Sequence, residues 1–224
     1  MKVLILESGT LINLSMNGLL YILEGLKKNF SGKFIITQQV KYETIDHPLK
    51  IERFALGALE VQNLLNNSII ELPDVININQ KSIDQETKKF LDLANHYLQA
   101  QNSWIPIVSD AEMSCLALSA ALMAKGIDNL IAIDERTTRM LGENPQQLGL
   151  LMSEKLHQPI ELAENNFPPF APFHFIRSAE LVYVAYKKGL VHLKGPKVID
   201  ALLYATKFKG CAISFDEINE LKRL

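Results

Sequence analysis

The sequence predicts an α/β protein, with a mostly parallel sheet flanked by helices on both faces and a C-terminal helical extension. Three observations carry that prediction. Short apolar runs (Val3–Leu6, Lys33–Ile36, Ser68–Leu72 and Asn129–Ile133) read as buried strands and are separated by longer segments of helical spacing. Their order, β-α-β-α-α-β-α-α-β-α, calls for crossover connections and so for parallel pairing. The chain of 224 residues is 48% hydrophobic and 21% charged, enough to bury a full core.

Val3–Leu6 ends at Glu7-Ser8-Gly9-Thr10, after which Leu11, Leu14, Leu19, Ile22, Leu23 and Leu26 recur at helical spacing. Lys33–Ile36 is the second strand, and Thr37 suits the N-cap of a helix that carries Glu43 and ends near His47-Pro48. Leu49–Asn66 reads as a helix and Ser68–Leu72 as a third strand. Ser82-Ile83-Asp84-Gln85 opens a helix over Ser82–Gln101 in capping-box style. Ile105–Val108 is a short apolar piece. Ser109 or Asp110 caps an Ala/Leu-rich helix that stops at Lys125-Gly126. Asn129–Ile133 is a strand, and a helix runs from Glu135 to Leu141. Glu161–Phe175, with three prolines and four phenylalanines, is an irregular connection. Ile176–Lys188 and Pro196–Phe208 follow as helices, then Phe215–Leu224 capped by Ser214.

The formal net charge of −2 announces no polyanion partner, so nucleic acid would need a local basic patch or a metal. From Arg177 onward, nine Lys/Arg face five Asp/Glu, a surplus that a solvated helical surface also explains. Cys115 and Cys211 are too few for a disulfide framework, and no CxxC or Cys/His cluster offers a zinc site. The apolar run at the N-terminus is short for a signal peptide, and none reaches membrane-spanning length. A cytoplasmic protein with no membrane partner is expected.

Four acids sit where an apolar run meets a helical pattern: Glu7, Glu43, Glu112 and Asp134. In open parallel sheets the carboxyl ends of the strands and the N-termini of the following helices share one edge, where ligands bind. Carboxylates gathered there repel one another unless a cation neutralises them, and hard oxygen donors suit Mg²⁺ or Mn²⁺. Such a metal generates hydroxide and stabilises charge at phosphorus. A single acid at a helix N-terminus is usually a dipole partner; four placed alike favour a metal site.

LILESGTLI, the Val40-x-x-Glu43 element, the Glu112 helix and IAIDERTTR together resemble the PIN-domain ribonucleases. YVAYKKGLV, a helix ending KFKGCAIS and a short last helix resemble the end of archaeal PIN-like proteins. The resemblance covers essentially the whole chain through short motifs. It implies a PIN-like three-layer domain over residues 1–158, with residues 159–224 as an aromatic, proline-containing loop and helical extension packed on it. It also implies Mg²⁺- or Mn²⁺-dependent hydrolysis of RNA, often in a homodimer, with a protein partner as a further option. Carried over, the catalytic acids fall on Glu7, Glu43, Glu112 and Asp134. Glu7, Glu112, Asp134 and Asp110 would hold metal, and Glu135 is close enough to assist. Ser8 or Thr10 would orient a water or phosphate, and Arg136 and Arg139 would hold phosphates. The family usually has Asp at the first position. Glu7 is one methylene longer, so the metal sits differently or the site is weakened.

Other readings stay open at this level. A degenerate PIN fold would bind RNA or protein without cutting. A phosphatase with Asp134 as nucleophile would want a second Asp where Arg136 stands, and no GxxxxGK[ST] or GxGxxG supports nucleotide binding. His47, His157 and His174 lack a paired nucleophile, Trp104 suits a helix-end anchor better than a base stack, and Asp200 in VIDALLYATKF is a decoy.

Overall fold

The structure is a computed structural model, and it describes residues 1–163, 170 and 172–224. β1 (Lys2–Leu6) is followed by α1 (Ser8–Met16), α2 (Tyr21–Asn29), β2 (Gly32–Ile35) and α3 (Gln38–Lys41). The helix carrying Glu43 continues from α3 as a π-helical turn, Tyr42–Asp46, and a 3₁₀ turn, Pro48–Lys50. Next come α4 (Glu52–Asn66), α5 (Gln80–Asn95), β3 (Leu98–Ala100), β4 (Ser103–Trp104), α6 (Asp110–Ala124) and β5 (Asp128–Ala132). The chain goes on through α7 (Arg136–Glu143), α8 (Pro145–Leu156), β6 (Glu161–Leu162), β7 (Phe175–Ile176), α9 (Ser178–Lys187), α10 (Val198–Phe208) and α11 (Phe215–Leu221).

β2, β1, β5 and β7 form a parallel sheet in that order. Consecutive strand residues point to opposite faces, and Val3, Leu4, Ile5 and Leu6 are all buried, so both faces of β1 are covered. The chain steps outward from β1 to β2, then returns to lay β5 on the other side of β1. That reversal puts a switch point at the carboxyl ends of β1 and β5, where Glu7 and Asp134 lie. α6 crosses behind it, packed on α5, β1 and β5 and buried almost all round.

Three expectations need correction, and one helix lies outside them all. The helical spacing from Leu11 to Leu26 belongs to two helices, because the chain turns at Gly18, whose φ of 64° is left-handed. Ser68–Leu72 is no full strand among the described residues; it makes a single parallel bridge, Ile35 to Glu71. The helix expected over Ser82–Gln101 begins at Gln80 under an Asn79 cap and ends at Asn95. Leu98–Ala100 then forms a strand, because Gln101 and Asn102 at φ 49° and 60° supply the two-residue turn of a β3–β4 hairpin. Finally α8, capped by Asn144 with Pro145 in its first turn, was not foreseen.

The stretch read as an irregular connection contributes short strands at its ends: β6 joins the small antiparallel β4-β3-β6 sheet and β7 edges the main one. Its residues 164–169 and 171 lie outside the described residues. Phe170 and Phe173 are buried against Phe90. The extension has its own small core of Ala179, Tyr183, Leu203, Cys211, Ile213, Ile218 and Leu221. No helix of the described residues is long and apolar enough to cross a membrane.

Candidate functional site

Glu7 is the first residue beyond β1 and the N-cap of α1; its Oε2 accepts from the Gly9 N–H at 2.7 Å. Only 3% of it is exposed. A Cβ on Gly9 would sit 2.9 Å from Glu7 Oε2, so the carboxylate lies down on a backbone that has no side chain there. The Ser8 hydroxyl stands between two acids, 2.5 Å from Glu7 Oε1 and 2.6 Å from Glu43 Oε2. Glu43 reaches it from the π-helical turn, where His47 N–H donates to Tyr42 O at 2.9 Å. Turns of this kind recur at functional sites because the extra residue re-aims the side chains.

Glu112 comes from the first turn of α6, where Oε2 accepts from the Ser109 N–H at 2.7 Å and completes a capping box. The α3 and α6 starts are tied together by Thr37 and Ser114, whose hydroxyls are 2.6 Å apart. Ser114 donates to Ala111 O and Thr37 accepts from Val40 N–H, so Thr37 is the donor between them.

Burial pushes the Glu7 carboxyl up to about 7, and the neighbouring charges of Glu112 and Glu43 add to this against the Ser8 and Gly9 hydrogen bonds. Burial and Glu135 likewise raise Glu112. A serine carries one hydroxyl proton, yet Ser8 bridges two carboxyl oxygens. Below about pH 7 every partner is satisfied if Glu7 donates to Ser8 and Ser8 donates to Glu43. Above it, one contact becomes a repulsion between lone pairs. Cys115, behind the acids, is held as a thiol by burial and the Glu7 charge.

The fourth acid is held by the C-terminal extension. Asp134 is 3% exposed and its Oδ1 accepts from the Ser178 N–H at the start of α9, at 2.7 Å. Its surroundings are Ser178, Cys211 and Glu180, and burial raises its carboxyl. Burial and Asp134 in turn push the Cys211 thiol up to about 12. The Asp134 backbone carbonyl accepts from Ala212 N–H, so this residue fastens the C-terminal extension to β5. Glu135, next in sequence, caps α7 through Thr138 N–H at 2.6 Å and is the acid whose charge reaches Glu112. The signal for this was its position one residue before the amphipathic run RTTRML.

Asp110 is exposed at the first position of α6, and Thr10 is fully buried with no hydrogen-bond partner for its hydroxyl among the described residues. Arg136 is exposed. Arg139 is buried, donates from Nη2 to Ala212 O at 2.8 Å and lies 3.7 Å from Glu143. The structure thus joins Glu7, Ser8 and Glu43 by hydrogen bonds, with the charge of Glu112 reaching Glu7 and that of Glu135 reaching Glu112, while the Asp134 carboxyl accepts from Ser178. Among the described residues no three His, Cys, Asp or Glu side chains are placed to hold one ion. The donors still suit a hard cation: they are all oxygen, and the burial and like charges that raise Glu7 are what a divalent charge relieves. No family model, no curated protein and no solved structure matches this chain.

Proposed function

We propose that this protein is a Mg²⁺- or Mn²⁺-dependent endoribonuclease whose acids are Glu7, Glu43 and Glu112, with Glu135 as the fourth. The observation that carries the reading is the Ser8 hydroxyl shared by two carboxyls, one of them buried and so pushed up to about 7, at the switch point of a parallel sheet. A bound divalent ion would supply Lewis acidity toward a phosphodiester. Glu7 and Glu43, the two acids joined through Ser8, would hold it, with Glu112 adding charge nearby. The chain's own contribution is positioning: Ser8 fixes the spacing of the Glu7 and Glu43 carboxyls, whose oxygens would orient the attacking water by accepting its hydrogen bonds. The wall behind is apolar, which strengthens each of these interactions.

The test is cleavage of end-labelled single-stranded RNA with Mn²⁺ or Mg²⁺. Glu43→Gln and Glu112→Gln should each lose about 100-fold or more in rate while keeping the fold, as removal of a key electrostatic group does. Wild-type protein that cuts nothing with either ion, or variants that cut as fast as wild type, would sink the proposal. Gly9→Ala is a finer probe, since the added Cβ meets a flexible carboxylate rather than backbone. Melting should hardly change, whereas displacing Glu7 by about 1 Å should cost about 100-fold in cleavage.

A second reading, a PIN-like module that binds without cutting, is favoured by the absence of a three-acid group around one point among the described residues. It predicts no melting shift with divalent ions and no metal-dependent cleavage.

A further inference from the structure

We infer that the cleft between α7–α8 and the C-terminal extension, together with the aromatic rings at its rim, is a holding track for single-stranded RNA. The inference rests on the RNA reading of the acidic site. The cleft encloses about 830 Å³. Its cations are Arg136, Arg139 and Lys207, set beside Glu143, Glu154 and Glu217.

Acids and cations are equal in number along the cleft but only partly paired with one another, and Lys207 Nζ donates to Ile213 O. Glu217 is committed to Arg177 at 2.6 Å; burial works against its charge, but the Ser214 N–H and Arg177 hold its carboxyl down at about 2. Glu143 is half exposed and 3.7 Å from Arg139, and Glu154 is exposed. Arg139, nine-tenths buried in the cleft wall, has no partner for its Nε, and Arg136 has no ion pair among the described residues. A buried guanidinium left partly unsatisfied at a cavity wall calls for an anion or an ordered water.

Beyond Lys207 the wall becomes aromatic. Its Nζ lies 4.5 Å from the centroid of the Phe215 ring. Tyr204 is 5.7 Å from Phe215 and 6.4 Å from Phe208, ring centre to ring centre. These three rings are 40%, 49% and 72% exposed, for Tyr204, Phe215 and Phe208 respectively. Three neighbouring rings left in water beside a cation cost solvation that a ligand with flat apolar faces would recover. Unpaired bases have such faces, and their phosphates match the cations. The track adjoins the acids along the chain: Glu135, whose charge reaches Glu112, caps α7, and Arg136 is the next residue. A strand cut at the acids would run along α7 with phosphates on Arg136, Arg139 and Lys207, then lay bases on Tyr204, Phe208 and Phe215.

The experiment is fluorescence anisotropy of a labelled single-stranded oligoribonucleotide of about 15 nucleotides, a length on the scale of such sites. It uses the full chain in EDTA, so that binding is read without cleavage. Tyr204→Ala with Phe208→Ala should weaken binding by about tenfold or more. Arg136→Gln with Lys207→Gln should weaken it and flatten the slope of log Kd against log salt by about 1.4, two phosphates at about 0.7 each. Melting curves confirm that each double variant is folded. Wild type that does not bind, folded variants that bind like wild type, or duplex RNA bound as tightly as the single strand would overturn the inference. The two proposals fail separately: a protein that binds through the track but never cuts removes the nuclease, and a nuclease unaffected by both double variants removes the track.

Discussion

Glu7→Gln should stabilise the metal-free protein at pH 8 by about 3 kcal/mol and leave it nearly unchanged at pH 4. The folded-state value is raised from 4.5 to about 7. Between those values the native state binds more protons than the unfolded chain, so wild-type stability is fully present below 4.5 and declines as pH rises toward 7. The difference is roughly 2.5 units at about 1.36 kcal/mol each, an order-of-magnitude figure. Glutamine copies the protonated carboxyl: its oxygen can accept from Gly9 N–H and its amide can donate to Ser8. The same variant should lose the stabilisation that Mn²⁺ or Mg²⁺ gives wild type, about 2.7 kcal/mol at a hundredfold excess over Kd. Urea unfolding at pH 4, 6 and 8, with and without metal, reads both effects. If Glu7→Gln lowers stability at pH 8 without metal, the hydrogen bonds to the ionised form dominate and the picture of a frustrated acid fails.

Asp134→Ala should cost about 2 to 3 kcal/mol with or without divalent ions, while Asp134→Asn should be close to neutral. Removing the carboxyl leaves the buried Ser178 N–H without an acceptor, and an orphaned buried donor costs about 1 to 3 kcal/mol. The loss falls where β5 holds the C-terminal extension, so α9 through α11 should loosen first. Asparagine retains an oxygen for Ser178 and removes a charge that burial disfavours. Hydrogen exchange and denaturant midpoints would show it. The contrary result, an Asp134→Asn protein of unchanged stability that no longer responds to metal, would make Asp134 a ligand and the fourth acid in place of Glu135.

These expectations divide along the line between local and distant information. The strands at Val3–Leu6 and Asn129–Ile133 were legible because four or five apolar residues bounded by turn chemistry have few other solutions. The caps at Thr37, Ser109 and Ser214 were legible because each bond spans three residues. Ser68–Leu72 misled because apolar content does not say whether a partner strand runs alongside for its full length. The helix expected to reach Gln101 misled because a hairpin partner can override periodicity.

By itself the sequence determined that acids would stand at the carboxyl edge of a parallel sheet, since strand identity, caps and the order of elements are set by short-range preference. Only the tertiary structure decided which acids face one another. Successive residues of an extended segment such as Asp134-Glu135 point to opposite sides, and nothing within a few positions says which side is the site. The choice was made by Ser178, 44 residues away, whose backbone N–H takes Asp134 and leaves Glu135 beside Glu112. A contact of that range depends on how the whole chain packs, not on any motif that contains it.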